Sequence, residues 1–233
     1  MARLTRKELK TDKFAMEVEQ TVDYFEEHRK AIIRYGGIAL VVVLIGVAFY
    51  FYFKQQHAAR QEALAHALEI QEAAVGGQAQ PGMLNFPTQA AKDEAALKAF
   101  GELAAKYPGS DEGLIAEYYL GSINADQGKS AEAIKHLKAV ADSGNVQYAS
   151  MARLSLGQLY FADGHAAQGE QLLRSLIAQP TIFVSKEQAT LVLGRELAKT
   201  KPDEARKLIG PLRTSRSAVS SAALEVYGEL LEK

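Results

Sequence analysis

Apolar and polar residues follow different rhythms in successive parts of this chain, and the changes of rhythm divide it. In the first part, Phe14, Val18, Val22, Phe25 and Ile32 fall at spacings of four, four, three and seven. Those spacings mark one face of a helix. Over residues 35–53 the alternation stops, and YGGIALVVVLIGVAFYFYF runs for nineteen residues without a charge. After it, residues 55–75 are rich in Ala, Gln, Glu and Leu, all compatible with a helix that continues outward. Gly76-Gly77 and Pro81-Gly82 break that helix, and residues 76–87 read as a loop. From Thr88 to the end, short amphipathic segments alternate with turn residues.

The uncharged run spans roughly 28 Å as a helix, close to the hydrocarbon thickness of a bilayer. A core helix of that length normally keeps a polar face, and this one has none. A helix satisfies its own backbone hydrogen bonds and so crosses lipid without an unpaired group. The run therefore reads as a transmembrane helix. Arg29, Lys30 and Arg34 precede it closely, against Lys54 and Arg60 after it. Positive charge stays on the cytoplasmic side, so the N-terminus is expected inside and the C-terminal bulk outside. A cleaved signal peptide fits poorly. The leading region contains Glu17, Glu19, Asp23, Glu26 and Glu27, and no small-residue cleavage triplet adjoins the run.

The last part of the chain repeats. Leu120-Gly121, Leu156-Gly157 and Leu193-Gly194 recur at offsets of thirty-six and thirty-seven residues. A second glycine, Gly128 or Gly164, follows seven residues later in the first two units. An apolar helical run comes next: Ala133, Ile134, Leu137, Val140 and Ala141; then Leu172, Leu173, Leu176 and Ile177; then Ala205, Leu208, Ile209 and Leu212. Two short helices at this period are the mark of a helical solenoid. The small residue after Leu lets the two helices of a hairpin approach, and the turn glycine ends the first of them in a left-handed conformation. Ser130 and Asp111 are suited to cap the helices that follow them. Hairpins are predicted near 111–143, 145–178 and 184–214. A final helix over about 217–231 covers the open end with Ala222, Ala223, Val226, Leu230 and Leu231.

Leu156-Gly157, Tyr160, Gly164 and Pro180 resemble the tetratricopeptide pattern L-G-x-x-Y, turn glycine and terminal proline. The likeness is degenerate: Gly169 stands where alanine is typical, Asn124 replaces the tyrosine of the first unit, and the third unit is one residue short before Ala205. The whole order of elements is similar to a family of single-pass tetratricopeptide-like proteins, the ancillary subunits of the SecYEG translocon. Tyr24-Phe25 and Arg29-Lys30 stand where that family has an aromatic pair and a basic cluster before its span. The resemblance implies a periplasmic domain that sits beside the translocon in the bacterial inner membrane and contacts periplasmic chaperones. The longer basic N-terminus and the loop around Pro81 depart from the family.

The reading is thus all-α: a cytoplasmic segment over 1–34, a transmembrane helix over 35–53, a connecting helix and loop over 54–87, and a tetratricopeptide-like repeat domain over 88–233. Net charge is −1, so nothing drives the chain as a whole toward nucleic acid. The first thirteen residues are basic. They read as a solvated tail that sets topology, with contact to anionic lipid or ribosomal RNA as the alternative. The absence of cysteine excludes disulfides, thiolate metal sites and a cysteine nucleophile. His28, His57, His66, His136 and His165 form no metal-ligand spacing, and phosphate loops and nucleophile elbows are lacking. No cofactor, metal, small-molecule substrate or enzymatic activity is expected. The candidate site is the groove lined by the first helix of each hairpin. Counting from the three glycines, its residues are Tyr118, Ser122, Gln158, Phe161, Arg195 and Lys199. The structural alternative is that Tyr118 and Phe161 belong to the core. The expected function is recruitment of partner proteins at the export machinery, with a scaffold role in another envelope complex as the alternative.

Overall fold

The computed structural model describes the backbone of residues 6–77, 84–215 and 217–231, and the side chains of the same residues except 6–28, 31 and 32. Phe14, Val18, Val22, Phe25, Ile32 and the Tyr24-Phe25 pair lie outside the described side chains, and Pro81-Gly82 outside the described residues. The chain divides into two compact units, with the boundary between Ala58 and Ala59.

In the first unit the sequence is helical throughout its described part, within α1 (Arg6–Glu72). The segment from Ile33 is long and apolar enough to cross a membrane, with a mean hydropathy of 2.3 in its most apolar stretch and none of that stretch buried. Ile38, Val42, Ile45, Phe49 and Phe53 are all more than half exposed.

In the second unit the last turns of α1 do more than connect. Ala67 and Ile70 are buried in a cluster with Ala96, Phe100 and Leu103 of α2 (Gln89–Lys106) and Leu120 and Ile123 of α3 (Asp111–Asp126). The stretch expected as a connector is therefore part of the stack. Its helix ends at Glu72, before Gly76-Gly77, and both glycines have positive φ. The loop that follows is closed by two-residue parallel strands, β1 (Ala74–Val75) and β2 (Asn85–Phe86). Neither strand is expected from the residue pattern, because two residues are too few for any alternation to register.

Three helical hairpins follow within the predicted bounds. They are α3 with α4 (Ser130–Ala141), α5 (Val146–Ala162) with α6 (Ala166–Ala178), and α7 (Lys186–Leu197) with α8 (Pro202–Ile209) and a 3₁₀ turn (Gly210–Thr214). Helix α9 (Ser220–Leu231) closes the stack, burying Ala223, Val226 and Leu230. Leu231, expected on that buried face, is instead exposed.

The caps differ from expectation by one residue. Ser110, not Asp111, caps α3, its Oγ accepting from the Gly113 N–H at 3.1 Å. Ser130 is the first helical residue of α4 and makes no cap. Asp111 and Glu112 occupy the first turn of α3, where their charge favours the helix dipole. The turn glycines behave as expected: Gly128 and Gly164 have φ of 72° and 80°. In each turn a backbone N–H reaches five residues back, Lys129 to Asn124 at 2.8 Å and His165 to Tyr160 at 2.7 Å. That is the 6→1 bond of a left-handed helix ending.

Candidate protein-binding surface

Each hairpin closes on its glycine. A β-carbon added to Gly121 would lie 2.6 Å from Leu137 Cγ, one on Gly157 2.9 Å from Leu173 Cδ2, and one on Gly194 2.5 Å from Ile209 Cγ1. Glycine is what lets the second helix seat against the first, and all three leucine or isoleucine partners are fully buried. These contacts define which side of α3, α5 and α7 faces its own hairpin. A residue one position later is rotated by about 100° from that contact. Ser122, Gln158 and Arg195 hold this position in successive units.

The stack has distinct inner and outer sides. On the inner side the first helices of neighbouring hairpins touch, α3 with α5 and α5 with α7. There the Tyr118 and Ser155 hydroxyls are 3.2 Å apart. On the outer side the second helices of hairpins one and two stand apart, leaving a cleft of about 330 Å³ lined by Lys138, Asp142, Arg153, Tyr160 and Gln168 among others. At its floor Arg153 of α5 donates to the Ala141 carbonyl at the end of α4 at 2.7 Å. The first helices therefore carry the inner surface.

The six sequence-derived groove residues separate by environment. Gln158, Arg195 and Lys199 are exposed. Ser122 is half-buried and its hydroxyl donates back to the Tyr118 carbonyl at 3.1 Å, within its own helix. Tyr118 is half-buried against the core that joins hairpins one and two, edge-on to Tyr119. Phe161 faces its partner helix, with its ring against Gly169. It lies four residues after Gly157, about 40° from the hairpin contact, so it packs rather than lines a groove. The counting rule failed there because a phenylalanine occupies a position that is Ala125 and Ala198 in the other units.

Residues that the counting missed complete the surface. Ile115, Met151 and Gln188 lie seven residues before Ser122, Gln158 and Arg195, two turns earlier on the same face, and each is half-buried. Their signal was present in the sequence as the same register read backward. The electrostatics are uneven along the face. Burial pushes the Glu196 carboxyl above its usual range, against the opposing pull of Arg195 and Lys199 on either side. On α3, burial raises the Tyr119 phenol, and the neighbouring Tyr118 and Glu72 add to it. Tyr119 is stacked flat on Phe100 at 4.7 Å, which ties α3 to α2. Among the described residues no group of three or more His, Cys, Asp or Glu side chains is placed to hold a metal ion.

The arrangement is a set of short, rigidly packed helices presenting a mixed polar and apolar face, with Gln and Arg side chains directed outward. Such a face offers the residue types from which protein interfaces are built. A family model described as a tetratricopeptide repeat-like domain matches residues 23–207. No curated protein and no protein of solved structure matches the chain.

Proposed function

The chain belongs to the tetratricopeptide repeat-like domain family, and on that premise we propose that it is a membrane-tethered protein–protein interaction module of the bacterial inner membrane. The family fold is a scaffold for protein partners. The observation that carries the tether is the uncovered, uncharged helical run over 35–53, joined on one chain to the repeats. Nineteen uncharged, largely apolar residues left exposed to water are costly, and lipid relieves that cost. The Lys/Arg asymmetry supports a single pass with the N-terminus in the cytoplasm and the repeats in the periplasm.

The partners proposed are integral subunits of the Sec translocon and periplasmic chaperones, so that the protein links the two during export. The basis is the order of elements: the Tyr24-Phe25 pair, the Arg29-Lys30 cluster, the span and the outer repeats. The inner face of α3, α5 and α7 receives the partner segment. Affinity purification of the full chain from membranes in mild detergent tests this reading. Co-purification of translocon subunits is the expected result. Recovery of a division or secretion complex in their place would assign the scaffold to that complex instead.

A further inference from the structure

The starts of the first helices of the hairpins lie along one edge of the second unit. Arg60, near the start of the α1 portion in this unit, donates from Nε to Glu112 Oε2 in the first turn of α3 at 3.2 Å. Asp111 beside it accepts from Asn145 Nδ2, the cap of α5, at 2.8 Å. Tyr148 in the first turn of α5 packs on Phe183 of the α6–α7 loop, with ring centroids 5.6 Å apart. This edge carries large apolar side chains in water: Ile182 is 86% exposed, Val146 62% and Phe183 43%.

These side chains are held in place. The Thr181 N–H donates to the Val184 carbonyl at 2.9 Å, and the Val184 N–H to Thr181 Oγ1 at 3.0 Å. The Thr181 hydroxyl is 2.7 Å from that of Ser150, and Val184 is fully buried. The loop is a tight turn anchored at both ends, with Ile182 and Phe183 at its tip. The hairpin turns on the opposite edge differ in kind. Gln127, Lys129, Asp163, His165, Thr200 and Lys201 are exposed there, and none is apolar. Among the described residues, the other large exposed apolar groups of this unit are Val75 and Leu84 in the loop after α1, 41% and 38% exposed, and Leu224 and Leu231 of α9, 55% and 66% exposed.

We infer that the edge bearing Val146, Ile182 and Phe183 rests on a lipid surface, so that the repeat stack lies against the membrane that anchors it. This rests on the reading of residues 35–53 as the anchor. Phe53 precedes Arg60 by seven residues, a length of chain that spans at most about 25 Å. The edge holding Arg60 is therefore tethered close to the bilayer whatever the angle of the domain. Exposed aliphatic and aromatic tips insert about 5–10 Å into the boundary between headgroups and acyl chains. Tyr148, packed against Phe183 on this edge, suits that boundary, where tyrosine is enriched.

The absence of cysteine makes each introduced thiol unique. The full chain is reconstituted in vesicles of phosphatidylcholine and phosphatidylglycerol, carrying an environment-sensitive fluorophore at Leu44→Cys, Ile182→Cys or His165→Cys. Lipids with nitroxide-labelled acyl chains act as quenchers. The expected result is quenching at 44 and at 182 and none at 165. Quenching at 44 with none at 182 overturns the lipid contact while leaving the anchor intact. Equal quenching at 182 and 165 overturns the assignment of this edge. No quenching at 44 defeats the anchor reading, and the lipid contact with it.

Discussion

The Phe161 ring fills the space that a β-carbon on Gly169 would need, with Cδ2 only 2.6 Å from that position. The pair explains a departure from the repeat pattern. Hairpins one and three have alanine at both corresponding places, Ala125 with Ala133 and Ala198 with Ala205. In hairpin two the large side chain on one helix is matched by the missing one on the other. The Gly157 carbonyl lies 2.6 Å from the same point, so backbone as well as side chain crowds it. Gly169→Ala is expected to cost about 1–3 kcal/mol, the range for overpacking. Phe161→Ala alone is expected to cost about 2 kcal/mol, below the usual figure for a fully buried phenylalanine. Combined, the two should cost less than their sum by about 0.5 kcal/mol or more. Denaturant titration of the four proteins in this cycle measures that coupling, and strict additivity would refute the pairing.

The left-handed turns give a second expectation. Gly128 and Gly164 meet no neighbour that a β-carbon would strike, so an alanine there is opposed by backbone conformation alone. Gly128→Ala and Gly164→Ala should each cost about 1–2 kcal/mol, the penalty of the left-handed region. Thermal melting of the single variants reads it. A cost near zero at both would mean that the turns relax to another ending.

Much of this fold was legible because its contacts are local. The Leu-Gly pairs at 120–121, 156–157 and 193–194 marked each hairpin, and the turn glycines fixed where the first two bend. What escaped depends on distant residues. The burial of Ala67 and Ile70 requires α2 and α3 to be in place, and their segment reads only as helix. The cap at Ser110 was missed because Asp111, beside it, is an equally good capping type. For the binding face, the register Ser122–Gln158–Arg195 was readable from the glycines. The inward turn of Phe161 was not, since it follows from the missing side chain of Gly169 on the next helix.

Acid sensitivity should arise at the junction of α6 and α8. Glu170 accepts from Lys201 Nζ at 2.8 Å and from Arg174 Nε at 2.9 Å. The Lys201 bond first, and then the Arg174 bond, hold its carboxyl below the ordinary value of 4.5. A carboxylate whose pKa is lowered on folding stabilises the fold above its unfolded value, and that contribution disappears as pH falls through the folded one. Stability should therefore decline below about pH 4.5 in part through this group. Glu170→Gln should flatten that acid limb and cost up to about 1 kcal/mol at neutral pH, the scale of exposed ion pairs. An unchanged acid limb in the variant would remove Glu170 from the account.

The terminal helix seals the stack. Leu230 is 1% exposed, and the Arg206 guanidinium donates to its carbonyl from Nε at 3.1 Å and Nη2 at 2.8 Å. A repeat cannot bury its apolar face alone, so removing residues 216–233 should lower the melting temperature or cause aggregation of the repeat domain. The milder Leu230→Ala should cost about 2–4 kcal/mol by leaving a cavity. Full stability of the truncated chain would show that the third hairpin needs no cover.

The central claim is that the inner face of α3, α5 and α7 binds a segment of a partner protein. Gln158 and Arg195 are exposed and make no side-chain hydrogen bond among the described residues, so replacing them leaves the packing intact. The direct measurement compares wild type with the double variant Gln158→Ala/Arg195→Ala, recording melting temperature and the amount of partner captured from membranes in mild detergent. The account predicts an unchanged melting temperature with capture weakened roughly 30-fold, the effect of losing about 2 kcal/mol at an interface anchor. Undiminished capture by a variant that melts like wild type would contradict it and move the binding surface off the inner face.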